Sequence, residues 1–208
     1  HNRTLHFSGG TFNLAAITFP PTISVVISNG AVLKASDQAI VRFDGPFSAG
    51  LHQVFSCPGR AQFGSGAVSE VYPQWWGASP ASSDSSPAIN KAINSAPTLP
   101  GVNVRLTGQL NCKTTIHVNR HRVKLIGDGM YSTQLTFDPD TPKALFEFSH
   151  PDKSVIAQCA IRDIGLLAVG AYKDTKRVQK IGIRIVDADI MEVRNVAIHN
   201  WGGSQSIG

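Results

Sequence analysis

Apolar and polar residues alternate in short runs along most of this chain, and that period of two predicts strands whose alternate side chains point to opposite faces. Such runs stand at Thr4 to Phe7, Thr11 to Leu14, Ser24 to Ile27, Ala31 to Lys34, Ile40 to Phe43 and His52 to Phe55. Gly9-Gly10, Pro20-Pro21, Asn29-Gly30, Asp44-Gly45-Pro46 and Pro58-Gly59 interrupt them. Those residues either reach positive φ without strain or fix φ for a turn. Residues 1–70 therefore read as a small all-β unit.

The pattern changes at residues 79–86, where Ser-Pro-Ala-Ser-Ser-Asp-Ser-Ser buries little and reads as a linker or surface loop. One helix follows, over Pro87 to Ala96. Ile89, Ala92, Ile93 and Ala96 fall on one face at i, i+3, i+4 and i+7. Ser85 or Ser86 can accept its first free amides, Pro87 suits its first turn and Pro97 ends it.

From Val102 onward alternation returns, at Val102 to Leu106, Thr115 to Val118, Val123 to Ile126, Gln134 to Phe137, Leu145 to Phe148, Ala160 to Ile164, Gly182 to Val186 and Met191 to His199. The segments Cys159-Ala-Ile-Arg-Asp-Ile-Gly-Leu-Leu-Ala168 and Met191-Glu-Val-Arg-Asn-Val-Ala-Ile-His-Asn200 carry an Arg-Asp or Arg-Asn step at the same phase. They read as equivalent strands of successive coils. Strand, turn, strand, turn and strand repeated in this way is the pattern of a solenoid, in which each coil buries its apolar face against the next. Asn195 and Asn200 suit left-handed corners or stacked side-chain ladders.

Composition agrees with a folded, mostly β domain: 42% of the 208 residues are hydrophobic and 16% charged, and helix-forming tracts are scarce. No window approaches the run of about 20 apolar residues that a membrane helix needs, and residues 1–4 do not form a signal peptide. Cys57, Cys112 and Cys159 are far apart with no CxxC spacing, so they read as isolated buried thiols. The net charge of +5 is concentrated in Asn119 to Lys124 and Lys173 to Lys180. With no interleaved aromatics or recognition motif, these segments do not predict a nucleic-acid surface; an anionic polysaccharide answers the same charge.

Taken together, Val71-Tyr-Pro-Gln-Trp-Trp-Gly-Ala78, the helix with Ala88-Ile89 and Ala92-Ile93, Val104-Arg-Leu and Leu125-Ile-Gly-Asp-Gly129 resemble the start of the rhamnogalacturonase/epimerase-type pectate-lyase superfamily. Phage tailspikes and many bacterial secreted proteins carry such folds. The resemblance spans about residues 70–200 and implies a right-handed parallel β-helix whose N-terminal end is sealed by the helix. It implies an extracellular, cell-surface or virion protein that binds or depolymerises polysaccharide, as a lyase or glycoside hydrolase if catalytic. The chain departs from the family at Ser79-Pro80-Ala81, where a Gly-Asp-Gly is usual, and keeps only Asp84 of an acidic pair.

Candidate chemistry is sparse. Asp187, Asp189 and Glu192 are the densest acidic cluster, suited to acting on a sugar or holding a cation such as calcium, and equally to keeping a turn soluble. His199, Trp201 and Arg194 offer a base, a stacking ring and a cation to a carbohydrate. Trp75 and Trp76 read as packing beside the helix, and Gly127-Asp-Gly129 as a turn. No Ser-His-Asp order, HExxH or calcium-loop motif is present, and no cofactor or dedicated metal site is predicted. A non-catalytic structural or adhesive solenoid is the alternative. An open C-terminal end of the stack predicts a homo-oligomer such as a trimer, further coils, or a partner that completes it.

Overall fold

A computed structural model describes residues 3–56, 60–95, 99–150, 152, 154–169 and 180–201, with Val102 described in its backbone alone. Cys57, Pro58-Gly59, Ala96, Pro97, the basic segment from Lys173 to Gln179 and residues 202–208 lie outside the described residues. The fold is mostly β, with one helix.

Before the helix the strands are β1 (Arg3–Phe7), β2 (Gly10–Leu14), β3 (Ile17–Phe19), β4 (Ile23–Ile27), β5 (Ala31–Ala35), β6 (Ile40–Phe43), β7 (Phe47–Ala49), β8 (Arg60–Phe63) and β9 (Glu70–Val71). A 3₁₀ turn, Pro73–Trp76, and helix α1 (Ser86–Ser95) follow. After them come β10 (Val102–Arg105), β11 (Gln109–Cys112), β12 (Ile116–Val118), β13 (Val123–Ile126), β14 (Gln134–Phe137), β15 (Lys143–Phe148), β16 (Ile156–Ala168), β17 (Lys180–Ile185) and β18 (Ala188–His199). The run His52 to Phe55, expected as a strand, contributes only one bridge, Leu33 to Phe55.

Every strand pair among the described residues is parallel, and the commonest rule is that a strand pairs with the third one after it. Thus β1 lies beside β4 and β4 beside β7, β2 beside β5, β3 beside β6, then β10 beside β13, β11 beside β14 and β12 beside β15. The long β16 serves as two strands, pairing β13 with its first half and β14 with its second. Asp163, at φ 58°, supplies the bend between the halves.

The two segments matched by their Arg-Asp and Arg-Asn steps lie side by side in that register: Cys159 opposite Met191, Arg162 opposite Arg194, Leu166 opposite Ile198. Asn195 adopts φ 51° next to Asp163 and its amide donates to the Asp163 carboxylate at 2.9 Å. A short polar side chain bonding locally offsets the steric penalty of that conformation.

Inward positions fill one apolar cluster that runs from Phe7 to Leu166 and includes α1. Its densest part is aromatic. Phe43 stacks between Phe19 and Phe63, with centroids at 5.1 and 5.6 Å, and Phe47, Phe55, Trp75 and Trp76 close around it. Trp75 and Trp76 are buried here, and the Trp75 indole donates to the Gly50 carbonyl at 3.0 Å. Both tryptophans are packing residues.

Helix α1 buries Ile89, Ala92 and Ile93 and touches the 3₁₀ turn, β8 and β12. The strands that precede it have their own parallel partners. Its start differs from expectation: Asp84, not a serine hydroxyl, accepts the Ser86 amide at 3.0 Å, and the same carboxylate takes the Lys113 amide at 3.0 Å and the Thr114 hydroxyl at 3.3 Å. A carboxylate has enough lone pairs for all three donors and binds each more strongly than a neutral oxygen does. At the other end Arg120 donates to the Ile93 and Asn94 carbonyls, both at 3.2 Å, which a helix C-terminus favours.

Candidate functional site

The outward face of β10, β13, β16 and β18 carries Asn103, Lys124, Ala160 and Glu192 at successive paired positions. A cavity of about 540 Å³ opens over this row. Arg122, Lys124 and Arg162 supply three cations to its wall against one carboxylate, Glu192, with Gln158, Ser69 and Asn103 as neutral polar neighbours.

Backbone geometry builds one rim. Arg122, Gln158 and Ile190 have φ of 61°, 62° and 53°, three left-handed corners that all line the cavity. Gln158 and Ile190 lie between the paired positions Ala157 with Asp189 and Cys159 with Met191. Gly101, at φ 98°, is packed so closely that a Cβ would lie 2.7 Å from the Arg122 Cβ and carbonyl oxygen, so only glycine lets this turn rest on Arg122. The Arg122 Nε donates to Gln158 Oε1 at 2.7 Å, which fixes the guanidinium at the rim. Lys124 has no ion-pair partner among the described residues.

Arg162 pairs with Glu192, and Arg194 Nε reaches the same carboxylate at 3.3 Å. The Arg162 Nε is buried without a hydrogen-bond partner among the described residues. Two guanidiniums sharing one carboxylate leave an excess of positive charge beside an unfilled donor.

Of the sequence candidates, Glu192 alone lines this cavity. Asp187 is a left-handed corner whose carbonyl accepts the Ile156 amide at 2.9 Å, and Asp189 is exposed opposite Ala157. Neither makes an ion pair among the described residues, whose His, Cys, Asp and Glu side chains form no group of three that could hold a metal. Trp201 stacks on Phe137 at 5.8 Å and donates its indole N–H to the Leu166 carbonyl at 3.2 Å, a packing arrangement. His199 is exposed, with its ring 6.4 Å from that of Tyr131. In the sequence the run from Asn119 to Lys124 stands out for its charge, whereas Arg162 and Gln158 do not. Only the pairing of β13, β16 and β18 brings those residues together.

One other polar cluster and the two described cysteines are structural. His150 meets both Asp152 and Ser154 through the same Nδ1, so no proton could pass from the hydroxyl through the ring to the carboxylate. Hydrogen bonds from Ser154, together with His150, hold the Asp152 carboxyl down at about 2. Cys112 and Cys159 are free and buried; burial pushes the Cys112 thiol up to about 12, which removes the thiolate needed for nucleophilic or redox chemistry.

At the far edge of the sheets, positions that are covered in one strand are open in the next. Ile161 and Leu166 are 0% exposed, whereas their partners on β18, Val193 and Ile198, are 49% and 48% exposed.

Comparison of the chain with protein-family models, curated proteins and solved structures gave no match.

Proposed function

We propose that this chain forms part of a right-handed parallel β-helix of the pectate-lyase type, extracellular or virion-borne, and that it holds an anionic polysaccharide in the Arg122–Lys124–Arg162 cavity. Third-strand parallel pairing and aligned left-handed corners support the solenoid reading, as does the resemblance around Trp75-Trp76-Gly77-Ala78. The three cations facing one carboxylate on an outward sheet face carry the ligand reading. Uronate or sulfate groups would pair with the exposed ends of Arg122 and Lys124, and sugar hydroxyls with Gln158 and Asn103.

Binding fits this wall better than cleavage. Hydrolysis uses two carboxylates across the scissile bond, whereas the cavity wall offers Glu192 alone, already shared between Arg162 and Arg194. Polygalacturonate, alginate and hyaluronate, with dextran as the neutral control, are the probes. The polyanions should bind with affinity that falls as salt rises, whereas any binding of dextran should depend neither on salt nor on Arg122 and Lys124. Replacing both Arg122 and Lys124 by alanine should weaken polyanion binding about tenfold or more. Unchanged affinity in that double variant would refute the assignment, and new reducing ends or unsaturated products would restore the enzymatic reading.

The exposed β18 face favours a second reading, a structural or adhesive solenoid that assembles through this edge. Sedimentation should then show concentration-dependent association, reduced when Val193 and Ile198 are both replaced by aspartate. A chain that stays monomeric at all concentrations excludes it.

A further inference from the structure

A second cavity, of about 290 Å³, lies over the other half of β16, lined by Tyr131, Gln134, Gly165, Leu166, Leu167, His199 and Asn200. It shares no residue with the cationic cavity, and no charged side chain other than the titratable His199 faces it. We propose that it is a site for a neutral sugar ring, stacked on Tyr131 and held through its hydroxyls by Gln134, His199 and Asn200.

The tyrosine is the first reason. Its side chain is among the most exposed large apolar groups of the protein, at 71%, yet the turn that presents it is tightly built. Gly129 donates its amide to the Asp163 carbonyl at 3.1 Å, and the Ser132 and Thr133 amides return to the Gly129 carbonyl at 3.0 and 2.8 Å. The buried Thr133 hydroxyl accepts the Asp128 amide at 2.9 Å and donates to the Leu106 carbonyl at 3.0 Å. Behind the turn, a Cβ on Gly165 would come within 2.2 Å of the Met130 carbonyl oxygen, so the turn rests directly on β16. An aromatic residue whose backbone is already held on a tight turn loses less freedom when a ligand covers it.

The second reason is the chemistry opposite the ring. Gln134 and Asn200 offer amide donors and acceptors, and His199 offers one of each when neutral. None of these side chains, nor the Tyr131 hydroxyl, makes a hydrogen bond among the described residues. An apolar face beside unfilled donors and acceptors matches a pyranose, which has C–H bonds on its faces and hydroxyls at its edge. A nucleic acid would also stack, but its phosphates would find no Lys or Arg in the wall.

Saturation-transfer NMR with cellotetraose, xylotetraose, mannotetraose and maltotetraose tests this without reference to the anionic site. At least one should bind, with saturation strongest on ring C–H protons. Tyr131→Ala should weaken it about tenfold, and His199→Ala should weaken it as well, while Tyr131→Phe keeps the stacking and stays near wild type. The Arg122 and Lys124 double variant should bind the same sugar unchanged, so failure of the polyanion reading leaves this result standing. Absence of binding by all four at millimolar concentration, equal binding by Tyr131→Ala, or loss in Tyr131→Phe matching that in Tyr131→Ala would each overturn the proposal.

Discussion

Phe43→Ala should destabilise the protein by about 4 kcal/mol, with chemical denaturation as the measurement. Phe43 is fully buried and is the shared neighbour of Phe19, Phe47, Phe55 and Phe63. Removing its ring deletes apolar burial and leaves a hole lined by rigid rings that cannot collapse into it. Ring-to-ring geometry adds roughly 0.5–1.5 kcal/mol per pair beyond area. Phe43→Leu, which keeps most of the volume, should lose much less. A cost below about 1 kcal/mol for Phe43→Ala would mean that the surrounding rings repack.

The second large effect belongs to Asp84. Asp84→Ala removes one acceptor from three donors, Ser86 N, Lys113 N and Thr114 Oγ1, and should cost about 2–3 kcal/mol. Asp84→Asn, with a single carbonyl oxygen, should recover roughly half. Burial by itself would raise this carboxyl, but the bonds from Ser86, Lys113 and Thr114 outweigh it and hold it below the usual aspartate range. A depressed folded-state value means the stabilisation is fully present above the unfolded value, about 3.9, and is lost as pH falls through the folded one. Thermal melts should therefore show wild type and Asp84→Ala converging as pH drops below about 4. A difference that does not narrow at all below about pH 4 would show that the carboxylate's charge is not the stabilising element.

Period-two alternation makes most strands legible. Ile40 to Phe43 and Val123 to Ile126 are bounded in the fold as in the pattern, because a pleated segment with one buried face must alternate. The Arg-Asp and Arg-Asn steps even define the register of β16 on β18, since a slip of one residue would turn every apolar side chain outward. Ile17–Phe19 and Phe47–Ala49 escape detection because three residues cannot display a period.

The helix is legible and its cap is not. Ser85, Ser86 and Asp84 are all good N-terminal residues, and the choice among them is made by Lys113 and Thr114, which arrive from a distant turn. The cationic cavity is half visible, as a charged run from Asn119 to Lys124. Within that run the sequence does not distinguish Arg120, which binds the end of α1, from Arg122 and Lys124 in the cavity wall. Tyr131 carries no signal, because exposure of an aromatic depends on how its turn is backed.

The third-strand pairing rule bears on how the molecule comes apart. Each pairing joins segments only a few dozen residues apart, and among the described residues no hydrogen-bonded ladder ties the first strands to the last. Stability is then carried mostly between paired strands that lie close in sequence. Amide exchange should grade along the chain, slowest around β6 and β13, which are paired on both sides, and faster at β18, which pairs β16 alone among the described residues. Damage at one level should loosen the adjoining levels first and leave remote ones closed.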